Sequence, residues 1–280
     1  MAGLNDVKTR ISSVKSTRQI TKAMNLVSTI KYKKARISTE HIRPYVEEFA
    51  KIVENIYNYR IERAQSELTE KRTIKKSLAL VISSDRGLCA AYNSSIIKFA
   101  ASKISEKNAA VVTVGAIAKD FFSKNGFELM ESYENITDTV EYHDARIIAL
   151  NIMKLYRTRV VDEVTVYYNN FVSTIKYVPV ELPLLPLTLR TTKGDSNYIY
   201  EPSPEEVFDA IAAGYVVNLI YQILLEASAS EHSSRMTAMK SATDNADNMI
   251  EDLTMQYNRA RQASITNEIS EIVGGTEALK

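Results

Sequence analysis

Apolar and small residues in the last quarter of the chain recur at alternating intervals of three and four. Met236, Met239, Thr243, Ala246, Ile250, Leu253, Tyr257, Ala260 and Ser264 step 3, 4, 3, 4 without a break, a heptad seam held for about four repeats. Beyond Pro204 and up to Val273 there is no further proline and one glycine, Gly214. At 1.5 Å per residue, a helix of about 68 residues is about 100 Å long. An ordinary 280-residue globule does not have that diameter, so this helix is expected to leave its own domain and enter something else.

The other end is also helical by pattern, from residue 3 to about 59, interrupted only by Pro44. Leu4, Val7, Ile11 and Val14 open a 3–4 seam. The same register then gives the polar Arg18, Thr21, Asn25 and Ser28, and the apolar stripe moves to Ile20, Met24 and Val27. Pro44 is expected to bend or break the helix. After it, Tyr45, Phe49, Ile52, Val53 and Ile56 form a broader stripe of the kind that docks on a domain.

Between the helices the period changes. Residues 60–76 are polar, a linker or frayed helix end. Residues 77–83, SLALVIS, form a short apolar run expected to be a strand buried on both faces. A helix over 90–106, a strand over 109–114, a helix to Lys124 and a strand over 127–130 follow. A helix over 137–158, with Asp138 as an acid of its first turn, and strands over 163–169 and 175–182 complete the set. Alternating strands and helices predict a small, mostly parallel, Rossmann-like α/β domain, residues 77–190, inserted between two long terminal helices that form an antiparallel coiled coil. On this reading the chain divides into 1–60 (helix), 61–76 (linker), 77–190 (α/β), 191–203 (loop) and 204–280 (helix and tip). Ser203, Pro204, Glu205 and Glu206 supply an N-cap, a first-position proline and first-turn acids for the last helix.

The net charge of +1 conceals a polarity. Residues 1–36 carry nine bases and one acid; residues 201–280 carry thirteen acids and five bases. Nucleic acid is the usual partner of a basic segment, but aromatic interleaving is nearly absent here. Opposite signs at the two ends suggest instead that they lie side by side or inside a charged partner. The segment AIAAGYVVNLIYQILL, 210–225, falls short of the roughly 20 apolar residues of a span and reads as a buried core helix. MAGLNDVKTR lacks the apolar run of a signal peptide and does not read as a transit peptide.

Chemistry is sparse. The turn after the first strand, Ser84-Asp85-Arg86-Gly87-Leu88-Cys89, has one glycine rather than a dinucleotide fingerprint, and no phosphate loop occurs. A lone Cys89 and the scattered His41, His143 and His232 give neither a disulfide framework nor a metal spacing. Cys89 as a nucleophile, with His143 or His232 as base, is weighed against a buried small residue at a helix start, and the second is the commoner case. No catalytic, cofactor-binding or metal residues are expected. The small residues Ala227 to Ser230, Ser233, Ser234, Ala238, Ser241 and Ala242 favour close helix approach and a slim rod. The apolar Ile265, Ile269, Ile272 and Val273 depart from the seam as an apolar tip.

Four strings carry a resemblance: 19–24 (QITKAM), 84–89 with Tyr92-Asn93, 235–240 (RMTAMK) and 260–269 (ARQASITNEI). They resemble the γ subunit of F-type ATP synthases of bacterial type, in order and over the whole chain. The sequence departs from that pattern where Ala90 replaces a usual glycine and where Gly275-Thr276 replaces Gly-Ala. The resemblance implies a non-catalytic rotor shaft that couples ion flow to ATP synthesis or hydrolysis. The terminal helices would turn inside a head of three α and three β subunits. The α/β domain would sit as a foot with the ε subunit on the c-ring, which supplies the only link to the membrane, at its cytoplasmic face. It further implies that Lys8, Arg10, Lys22, Met24, Lys31, Lys33, Lys34, Arg235, Gln262, Thr266 and Glu268 face β. Tyr198, Tyr200 and Glu201 would belong to the foot near ε and the c-ring. Two alternatives remain at this stage. One is a structural coiled-coil adaptor of another complex; the other is a small-molecule enzyme using the α/β domain, against which the missing glycine loop argues.

Overall fold

In a computed structural model, residues 4–60, 66–107, 109–174, 176–189 and 201–277 are described. Their elements are α1 (Leu4–Arg60), β1 (Ser77–Ile82), α2 (Tyr92–Lys107), β2 (Ala110–Val114), α3 (Ala116–Lys124), β3 (Leu129–Tyr133), α4 (Tyr142–Arg157), β4 (Glu163–Ser173), β5 (Lys176–Leu185) and α5 (Pro204–Glu277). The chain forms two compact units: residues 1–27 with 236–280, and residues 28–235.

The smaller unit is an antiparallel helix pair. Asn25 Nδ2 donates to the Met236 carbonyl at 2.7 Å, the Thr243 hydroxyl to that of Thr21 at 2.8 Å, and Arg18 forms an ion pair with Asp247. Partners therefore descend along α1 as they ascend along α5. On α5 every seam residue from Met236 to Ser264 is buried or half-buried, and their immediate neighbours are mostly exposed. On α1 the structure corrects one expectation. The seam does not move to Ile20 and Val27, which are 61% and 52% exposed. It continues through Arg18, Thr21 and Asn25. Heptad geometry fixes which face meets α5, and these polar groups are tolerated there because each finds a partner across the seam. Ile20, Leu26 and Val27 are left on the exposed face.

The larger unit is a five-stranded sheet in the order β3-β2-β1-β4-β5, parallel except for the β4–β5 hairpin. This is the doubly wound order with its reversal point between β1 and β4. β1 and β2 are buried throughout, as their continuous apolar runs require. Prolines 179 and 183 lie inside β5, which runs past residue 182, where the sequence pattern ends the strand, to Leu185. An edge strand accepts them, because their missing N–H can face away from the ladder. Gly115, at φ 93°, makes the turn after β2; a Cβ there would meet the Ser83 carbonyl oxygen at 2.6 Å.

α1 passes through Pro44 without a break. Pro44 is exposed, so the carbonyl it leaves without an N–H donor can be hydrated. Val46, Val53 and Ile56 are buried, and Phe49 packs between Tyr45 and Tyr215. Residues 206–273 include a stretch long and apolar enough to cross a membrane by length and composition. Here Ala212, Val216, Val217, Ile220, Ile223 and Leu224 are buried and join the main core. α4 begins at Tyr142, later than the sequence suggests. Its N-terminus is set by Asp144, whose carboxylate accepts the Glu141 N–H at 3.3 Å. Asp138 lies before it in the loop and pairs with Lys31.

Candidate functional site

In doubly wound domains the ligand crevice lies beyond the carboxyl ends of the strands, at the reversal of strand order. In this unit α5 occupies that place. Its 227–235 stretch, ASASEHSSR, meets the loops after β1 and β3 and the end of β4. The hydroxyl of Ser228 donates to the Thr137 carbonyl at 3.0 Å, and that of Ser230 to the Asn169 carbonyl at 3.2 Å. Ser233 donates to the Thr174 carbonyl at 2.5 Å and Ser234 to the Cys89 carbonyl at 2.7 Å. The buried Tyr92 returns the contact, its hydroxyl donating to the Ala227 carbonyl at 3.0 Å. Small size explains the close approach. The hydroxyls explain the serines, since loop carbonyls beyond the sheet ladder need donors.

The turn itself is tied by Asp85. Its carboxylate accepts the N–H groups of Ala116 (3.1 Å), Asn135 (2.9 Å) and Thr137 (3.1 Å), and the Thr137 hydroxyl at 3.0 Å. One side chain thus joins the loops after β1, β2 and β3. Leu88 and Ala90 adopt left-handed φ of 60° and 49°, and Leu88 and Arg86 are exposed while Cys89 turns inward. Burial pushes the Cys89 thiol up, so it is held as a neutral thiol.

Arg235 closes the arrangement. Its side chain is 8% exposed and every hydrogen bond it makes is internal. Nε reaches the Gly87 carbonyl at 3.3 Å, Nη2 reaches the carbonyls of Arg86 (3.0 Å) and Gly87 (3.3 Å), and Nη1 meets Glu231 Oε1 at 2.8 Å and His232 Nδ1 at 3.3 Å. Because a guanidinium only donates, His232 Nδ1 accepts and the ring proton sits on Nε2. Burial, helped by the Arg235 charge, lowers His232 to about 4. Burial pushes Glu231 up to about 7 against the pull of Arg235.

The remaining sequence-derived candidates lie elsewhere. Lys8, Arg10 and Lys22 are exposed on α1 and Met24 is half-buried. Lys33 and Lys34 are exposed; Lys31 bonds Asp138 at 2.5 Å. Against the upward push of burial, that ammonium holds the Asp138 carboxyl below its usual range. Gln262, Thr266 and Glu268 are exposed on α5, as are Ile265, Ile269, Ile272 and Val273. Glu201 is exposed; Tyr198 and Tyr200 lie outside the described residues. Of the residues grouped as facing β, Arg235 alone is committed to the interior of its own unit. The sequence pointed to the serines only as small residues on α5 and to Tyr92 only within a string that carries the resemblance; Glu231 had no signal of its own.

A family model described as ATP synthase matches residues 3–279. The chain is 43% identical over 290 residues to the ATP synthase gamma chain of Alkaliphilus metalliredigens, covering 99% of each. It is 42% identical to that of Halothermothrix orenii, covering 100% of each. The chain belongs to the ATP synthase gamma chain family. Among solved structures it is similar to a chain of the central stalk and c-ring of the Tetrahymena thermophila mitochondrial ATP synthase. That match has a TM-score of 0.62 and 26% identity, over 80% of this chain and 99% of that one. A chain of the Euglena gracilis mitochondrial ATP synthase shares the fold at a TM-score of 0.71 and 16% identity, over 99% and 94%. In this member of the family, then, the crevice of the doubly wound domain is filled by the chain's own long helix.

Proposed function

We propose that the chain is the rotor shaft of an ATP synthase central stalk, coupling ion flow to ATP synthesis or hydrolysis carried out on other subunits. The observation that carries this reading is end-to-end similarity to gamma chains, over 99% or more of each of the two relatives. The helix pair is the shaft. A single shaft facing three equivalent sites cannot obey their symmetry. Each site meets a different face, and rotation does work only because the faces bind the site's conformers unequally. The exposed Ile20, Leu26 and Val27 and the exposed Lys8, Arg10 and Lys22 on α1 give such unequal faces. Lys33, Lys34, Gln262, Thr266 and Glu268 extend that β-facing set, and Ile265, Ile269, Ile272 and Val273 are the tip received by an apolar collar.

The partners are three α and three β subunits, with ε and the c-ring at the foot, where Glu201 and the segment before α5 belong. This chain has no active site of its own, and it works at the cytoplasmic face of a bacterial membrane. Native mass spectrometry of the chain co-expressed with α and β from the same source tests the reading. A particle with three α, three β and one copy of this chain, whose ATPase activity needs that copy, supports it. A self-dimer indifferent to α and β sinks it.

A further inference from the structure

Among the described residues Glu231 is the acid buried against the Arg235 guanidinium, and its position suggests more than a static ion pair. Only one of its oxygens is used: Oε1 meets Arg235 Nη1 at 2.8 Å. Oε2 is buried with no hydrogen-bond partner of good geometry among the described residues. The nearby Thr137 hydroxyl has a single proton, and it goes to Asp85 at 3.0 Å. A half-satisfied buried carboxylate is costly to keep charged. The guanidinium it neutralises is what grips the turn, through the carbonyls of Arg86 and Gly87.

We infer that Glu231 is a proton-responsive positioning residue, acting through Arg235 to hold the 85–89 turn against α5. With Glu231 ionised, Arg235 is neutralised and stays inside, clamping the turn. When Glu231 takes up a proton, Arg235 becomes a buried cation without a counter-ion. Such a charge is strongly disfavoured, so the long side chain turns out to solvent and frees the two carbonyls.

The other groups facing this acid do not replace the switch. Asp85 and Arg86 lie in the turn and Cys89 at its end; Tyr92 opens α2. Asp138, from the loop after β3, is already paired with Lys31 of α1. His232, on the same helix, stays neutral down to about 4. Burial leaves Glu231 to titrate at about 7. The inference stands on contacts within this unit and not on the rotor reading.

The test is a pH titration of the full-length chain by ¹H–¹⁵N correlation spectroscopy, following the Gly87 and Leu88 amides from about pH 5 to about pH 9. In the wild type both amides should move with one midpoint near neutrality. Glu231→Gln should abolish that midpoint and hold the amides at their low-pH positions, while His232→Gln should keep it. Should Glu231→Gln not fold, the ¹³C-labelled Glu231 carboxyl of the wild type is followed instead, and it must share the amide midpoint. Amides that stay flat across this range, or a midpoint that survives Glu231→Gln, overturn the inference.

Discussion

The serine contacts on α5 can be tested by removing one hydroxyl at a time. Ser230 is fully buried and Ser234 nearly so. Serine to alanine changes volume little, so the cavity contribution is small and the hydrogen bond dominates. The Cys89 carbonyl that accepts from Ser234 also accepts the Tyr92 N–H at 3.1 Å, so it keeps a partner when the hydroxyl goes. The cost of Ser234→Ala is then one net hydrogen bond, about 1 kcal/mol, less a few tenths recovered from alanine's helix propensity. Asn169, which accepts from Ser230, lies past Tyr167, the last residue that β1 pairs on β4. Removing Ser230 approaches the cost of stranding a buried acceptor, about 1–3 kcal/mol. The two serines address different carbonyls, so the double variant should be close to additive. Two units make a single global unfolding curve ambiguous. The assay is therefore native-state amide exchange of Leu80 and Val81, which lie in fully buried β1 and report the opening of this unit. Equal protection in wild type and double variant would refute the reasoning and leave the serines as small residues only.

Other expectations follow from the same structure. Ala90 sits at φ 49°, where a Cβ costs about 1–2 kcal/mol; glycine adds about 0.4–1 kcal/mol of unfolded-state entropy. Ala90→Gly should be neutral or stabilising by up to about 1.6 kcal/mol, and a clear loss of stability in the same exchange assay would count against the strain. His232 is lowered from 6.5 to about 4, so its contribution is present above 6.5 and lost as pH falls towards 4, while Glu231, raised from 4.5 to about 7, gains on acidification over much of the same range. The two oppose each other in the wild type. His232→Gln should therefore uncover a stability that rises as pH falls from neutrality, and an unchanged pH profile would contradict the assignment. Truncation after Ser264 should leave the β1 amides fully protected and weaken assembly or torque transmission; an assembly with unchanged coupling would show that the exposed tip is dispensable. Joint charge reversal at the exposed Lys8 and Lys33 should lower coupled turnover without altering β1 protection. Lys31→Glu should lower that protection too, because it sets a second acid against Asp138; equal protection would deny the pair a structural role.

What was legible in the sequence was whatever a local period could carry. The 236–264 seam, the two fully buried strands and the Ser203–Pro204 start of α5 are patterns in which neighbours in sequence are neighbours in the fold, and each lies where its period places it. Where the partner lies far along the chain, period alone misled. Ile20 and Val27 looked like the inward stripe of α1 because they are apolar, yet the face of α1 is chosen by α5 more than 200 residues away, and there Thr21 is buried and Asn25 half-buried on the strength of Thr243 and the Met236 carbonyl. Asp138 looked like a helix-start acid because α4 was near in sequence, whereas its partner is Lys31 on another helix. The same distinction explains the site. A single glycine after β1 is not a dinucleotide fingerprint, but nothing local to that turn could say what fills the crevice. The answer was spelled about 140 residues later, as four serines within the seven residues 228–234. A helix of small residues packs closely against any neighbour; only the carbonyls waiting at 137, 169, 174 and the turn make it a row of donors. Glu231 and Arg235 follow from that placement. On an exposed helix an i,i+4 pair is worth a few tenths of a kcal/mol. Carried into a crevice that a cofactor would otherwise occupy, the same pair becomes a buried charge whose protonation has structural consequences.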